Sequence, residues 1–107
     1  MFEIGKDCKI HKSAQINVEA GKIDDRTVIK EGVKIEGKYV YIGKESFLNR
    51  YAYIGGGSIF DEKSKLVTGD WFHMGPNSMI DVAQGVEIGH EVGIGIESKI
   101  VTHGAYL

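Results

Sequence analysis

The side chains able to do chemistry are few and widely spread. Four histidines stand at His11, His73, His90 and His103. An imidazole titrates near neutral pH and can serve as a general base or as a metal ligand. Zinc sites need several converging nitrogen or sulfur ligands, and successive histidines here are 62, 17 and 13 residues apart, which leaves no close pair. Cys8 is the only cysteine, so no internal disulfide can form, and a reducing, cytoplasmic setting is the default expectation. No G-x-S-x-G elbow offers a serine nucleophile. The triple glycine Gly55-Gly56-Gly57 is followed by no Lys-Ser/Thr pair, so it reads as a corner and not as a phosphate loop. Asn77 follows Pro76 and suits a turn. Trp71, next to Phe72, fits either an acceptor platform or an edge of the core. His11, His73 and His90 fall at three different points of the pattern described next and read as surface or interface residues. His103 differs from them, because with Thr102 it comes just past a run of evenly spaced isoleucines.

That run is Ile88, Ile94 and Ile100, spaced by six residues. A step of six fits neither the helical period of 3.6 nor a long alternating strand, so the unit is a short strand plus a corner. The same register starts at Ile4 and passes through Ile10 and Ile16, slips by one to Ile23, Ile29 and Ile35, and slips again to Ile42, Leu48, Ile54, Phe60, Leu66 and Phe72. A two-residue slip then gives Met74 and Ile80, and Val86 leads into the final run. Four residues after the large apolar position come small or β-branched residues such as Cys8, Ala14, Ala20, Thr27, Ser46 and Ser78. One residue after it come turn formers, among them Gly5, Asp24, Gly43, Asn49 and Gly75, where left-handed backbone angles are expected. The extra residues at 16–23 and 35–42 read as longer corners, and they argue against a long amphipathic helix. Three units make a triangular coil, and residues 1–107 are expected to form one domain of about six coils.

Composition agrees with a globular domain and narrows the partners. Fifteen glycines accompany a single proline. Thirteen basic and fifteen acidic residues give a net charge of −2 without long runs of either sign, so neither nucleic acid nor an anionic membrane is an expected partner. No apolar stretch has the length of a transmembrane helix, and the amino terminus lacks the apolar core of a signal peptide.

The register resembles the hexapeptide-repeat family, which implies an all-β, left-handed parallel β-helix. The handedness comes from the resemblance and is an exception to the right-handed crossover rule. The stretch from Gly69 to Leu107 is similar to the middle of the coenzyme-A-dependent acetyltransferases that modify sugars and related acceptors. In that family a histidine shortly after an apolar hexapeptide position is the base, which the resemblance carries onto His103. In the maltose and galactoside acetyltransferases an asparagine three residues before an isoleucine contacts the acceptor, and Asn77 before Ile80 reproduces that spacing. Acetyl-CoA is the implied co-substrate and a homotrimer the implied assembly, with sites between neighbours. No resident metal is implied.

The chemistry behind this expectation is direct transfer. An acceptor hydroxyl or amine loses a proton as it attacks the thioester carbonyl; His103 would take that proton, Asn77 would orient the acceptor, and backbone N–H groups of a glycine-rich corner would face the oxyanion. In the family several more coils follow the base, so the chain reads as the amino-terminal part of such an enzyme with an open carboxyl-terminal coil. The alternative reading is a structural or trimerisation module without activity. A third, a γ-type zinc carbonic anhydrase on the same fold, suffers from the missing histidine pair.

Overall fold

A computed structural model describes residues 1–56, 60 and 62–101. Every regular element in it is a β-strand: β1 Phe2–Ile4, β2 Lys9–Ile10, β3 Gln15–Ile23, β4 Val28–Ile29, β5 Lys34–Ile42, β6 Phe47–Leu48, β7 Tyr53–Gly55, β8 Lys65–Thr68, β9 His73–Met74, β10 Met79–Asp81, β11 Val86–Ile88, β12 Gly93–Ile94 and β13 Lys99–Ile100. All pairings are parallel and link strands one coil apart. The result is a parallel β-helix with three faces and five coils, against the six expected. The first face stacks β1, the second half of β3, the second half of β5, β8 and β11. The second face stacks β2, β4, β6, β9 and β12. The first halves of β3 and β5 with β7, β10 and β13 make the third.

The isoleucine register is the spine of this arrangement. Ile10, Ile29, Leu48, Met74 and Ile94 stack on the second face, and Ile16, Ile35, Ile54, Ile80 and Ile100 on the third. Ile23, Ile29, Ile35, Ile42, Leu48, Ile54 and Ile80 are almost wholly buried, each contributing the transfer free energy of a full aliphatic side chain, about 1.5–3 kcal/mol. The two expected long corners lie within β3 and β5. These nine-residue strands turn from the third face onto the first while keeping their pairing on both sides of the bend, Ile16 with Ile35 and Ile23 with Ile42.

Three sequence expectations need correction. Phe60 is not an inward position: it is 86% exposed, in the loop between β7 and β8. That loop lengthens the third-face repeat from 19 residues, Ile35 to Ile54, to 26, Ile54 to Ile80. Phe72 is buried, but it stands two residues before Met74, in the column that holds Thr27 and Ser46 in the coils below. Ala20 is likewise not the small inward partner of Ile16. The extra residue at that corner puts Gly21, Val40, Leu66 and Val86 in the inward column instead.

The left-handed corners also fall elsewhere. Positive φ occurs three residues after the large inward position, at Asp7, Arg26, Glu45, Trp71 and Glu91 along one edge and at Gly32, Tyr51, Asn77 and Glu97 along the next. The residue directly after the large position is glycine for another reason, the close approach of successive coils. A Cβ on Gly43 would lie 2.2 Å from the Gly69 carbonyl oxygen, and one on Gly75 would lie 2.7 Å from the Ile96 nitrogen.

Candidate functional site

Asn77 lies at the edge between the second and third faces, in the fourth coil, with φ 57°. Its backbone N–H donates to the Arg50 carbonyl at 3.0 Å, as the Glu97 N–H does to Pro76 one coil above. Tyr51 below and Glu97 above adopt the same left-handed conformation. Asparagine tolerates that conformation better than most residues, so the corner gives one reason for its presence, and its exposed carboxamide leaves room for another. His103 lies outside the described residues. The chain reaches Val101 after β13, which stacks on β10 with Ile100 over Ile80. Asn77 precedes β10 and Val101 follows β13, so the two flank opposite edges of the third face in successive coils.

The three other histidines occupy separate places. The His11 Nδ1 is paired with Ser13 Oγ at 2.8 Å and accepts the Ser13 backbone N–H at 3.0 Å, inside the first coil. His90 closes a column of corner residues: its Nδ1 accepts the Asp70 N–H at 2.8 Å, and one coil lower Asp70 Oδ1 accepts the Lys44 N–H at 2.8 Å. Accepting through Nδ1 places the proton of a neutral ring on Nε2. His73 projects outward from β9 with its ring 6.0 Å from that of Phe47, and the Lys30 ammonium lies 5.8 Å from the Phe47 centroid. Among the described residues no three His, Cys, Asp or Glu side chains converge as a metal site would require.

Recesses at two places on the surface bear on the outward side chains. One of about 320 Å³ is lined by Trp71, His73, Glu91, Val92 and Gly93, where the second face meets the corner before it. Sequence reasoning left Trp71 undecided, and it is 52% exposed, on the outside of the helix. A second recess, of about 470 Å³, has Tyr39, Val67 and Ala20 in its wall. At its edge the Lys38 ammonium sits 2.8 Å from Glu19 and 3.4 Å from Glu62. The hydrogen bond that the Lys38 ammonium donates to Glu19 is the main reason that the Lys38 pKa is raised.

Missed by sequence reasoning are two tyrosine–carboxylate pairs that tie one coil to the next. Tyr41 Oη donates to Asp24 Oδ2 at 2.5 Å on the first face, and Tyr53 Oη to Glu36 Oε1 at 2.9 Å on the third. Burial would raise the Asp24 carboxyl, but the Tyr41 hydroxyl, the Asp25 amide, Lys22 and Lys44 outweigh it and hold the group below its usual value. Through the same bond Tyr41 is pushed up to about 12. Tyr53 is raised too, by burial first and by Glu36 second. The spacing of 17 residues in each pair is the available signal. It becomes readable only once the coil length is known. Inside the first edge a hydroxyl chain does similar work: Thr27 Oγ1 and Ser46 Oγ donate to the Gly43 carbonyl, and Thr68 Oγ1 accepts the Gly43 N–H.

Compared with protein-family models, curated proteins and solved structures, the chain matches none. Its class is therefore defined by its own geometry, a three-faced parallel β-helix with outward histidine and tryptophan beside a small recess.

Proposed function

We propose that the chain is an acyltransferase of the hexapeptide-repeat type. It moves an acetyl group from acetyl-CoA to the hydroxyl or amine of a small acceptor, with His103 as general base and Asn77 as an acceptor contact. The observation that carries the reading is the hexapeptide register itself, folded into stacked three-faced coils and followed directly by Thr102-His103. A left-handed coil belongs to this proposal. So does a homotrimer: with Asn77 and the exit of β13 at opposite edges of one face, a threefold assembly is a simple way to bring an edge of one prism against the other edge of its neighbour. Loss of His103 removes a proton acceptor from the attacking atom, an effect of about 10²–10⁴-fold.

The test is release of free thiol from acetyl-CoA by the purified chain with a panel of amino and neutral sugars, alongside its solution mass. Transfer that is abolished in His103→Ala while acetyl-CoA binding persists supports the proposal. A folded trimer that neither binds nor turns over acetyl-CoA overturns it. The left-handed conformation shared by Tyr51, Asn77 and Glu97 favours a second reading, a structural solenoid without activity, because it accounts for Asn77 by backbone geometry alone.

A further inference from the structure

We infer that the recess between Trp71, His73 and Glu91 binds a small organic cation, a protonated or quaternary amine. The inference stands apart from acyl transfer and from His103. Along the outside of the second face Val28, Phe47 and His73 stack in one column, and the next residue in that column is Gly93. A Cβ on Gly93 would meet nothing within 4 Å, so the column ends in a notch open to solvent. Trp71 flanks that notch as a corner residue with φ 59°, a conformation in which a bulky side chain is uncommon, and its indole is 52% exposed. Glu91 takes the same corner position one coil above, its N–H donating to the Asp70 carbonyl at 2.9 Å.

The notch is thus lined by an indole, an imidazole and a carboxylate, and Glu91 supplies the only fixed charge in its lining. An anion would meet repulsion there. A cation would gain from the electron-rich face of the indole and from the carboxylate together. The same face of the protein already shows this chemistry one step lower, where the Lys30 ammonium lies over the Phe47 ring at 5.8 Å. The volume of about 320 Å³ sits at the small end of the range for ligand sites, about 300–1,000 Å³, and suits a compact amine.

Trp71 is the only tryptophan, so its fluorescence reports on this notch alone. The experiment titrates the full chain, at constant ionic strength and without acetyl-CoA, with choline, with its uncharged carbon analogue 3,3-dimethylbutan-1-ol, and with glucose. Choline is expected to give a saturable change with a Kd of about millimolar, at least tenfold tighter than the alcohol, as weak exposed cation–π and ion-pair contacts allow. Glu91→Gln, with an unchanged circular dichroism spectrum, is expected to weaken choline about fivefold and to leave the alcohol unaffected. Equal binding of choline and the alcohol overturns the inference. So does saturation by glucose alone, which would make the notch a neutral sugar platform, and so does the absence of any saturable change.

Discussion

Replacing Tyr41 by Phe removes one oxygen atom and isolates what a single coil-to-coil hydrogen bond contributes. In the native chain the Tyr41 hydroxyl donates at 2.5 Å to an Asp24 carboxylate that is only 6% exposed. A hydrogen bond to an ionised group contributes about 1.5–3 kcal/mol. The rise of Tyr41 from 10.0 to about 12 corresponds to about 2.7 kcal/mol of preference for its protonated form. The tyrosine is only partly buried and solvent screens the pair, so the expected loss for Tyr41→Phe at pH 7 is about 1–2 kcal/mol. Its pH dependence follows from the same shifts. A raised tyrosine pKa contributes stability that is fully present below 10.0 and disappears as pH climbs to about 12. The lowered Asp24 pKa contributes stability that is present above 3.8 and disappears as pH falls through its folded value. Urea unfolding followed by circular dichroism should therefore show a constant gap between native chain and variant near neutrality, narrowing above pH 10 and again in acid. A variant with the native midpoint at pH 7, or a gap that persists undiminished near pH 12, would refute the reasoning. Titration of the other tyrosines is common to both proteins and cancels in the difference.

Three further substitutions separate backbone demands from chemistry. Gly21→Ala would place a Cβ 1.9 Å from the Val40 carbonyl oxygen at φ 125°, so a loss of at least about 3 kcal/mol, or no soluble product, is expected. Gly89→Ala, with nothing within 4 Å of its Cβ, should change the thermal midpoint by less than about 2 °C. Asn77→Gly relaxes a left-handed corner and should hold or raise stability by up to about 1 kcal/mol. If Asn77 orients the acceptor, the same variant loses acyl transfer with a raised KM, and unchanged kinetics would leave the residue a corner former only.

Much of the core could be read from spacing, because a β-helix repeats its inward positions in the chain as well as in space. Ile10, Ile29 and Leu48, or Ile16, Ile35 and Ile54, sit where the register puts them. The reading failed where the phase shifted without a mark. Ile54, Phe60, Leu66 and Phe72 continue a step of six as numbers, yet Phe60 belongs to an outer loop, and Leu66 takes the column of Val40. The inward position that should announce the next coil is Thr68, a polar residue that periodicity passes over. It is tolerated inside because its hydroxyl accepts the Gly43 N–H and donates to the Gly69 carbonyl. Phe72 then takes, fully buried, the column position that Ser46 holds one coil below.

The candidate site divides in the same way. Sequence by itself determined the repeating unit, the parallel stacking it requires and the residue types available for chemistry, because a periodic pattern of aliphatics has one economical way to leave water. Tertiary structure alone decided which residues bend left-handed, which carboxylates meet a tyrosine, and that Trp71, His73 and Glu91 converge while Asn77 stands at another edge. Those pairings join residues about one coil apart. Their partners depend on the length of every corner in between, and a single inserted residue moves a side chain from one face to the next.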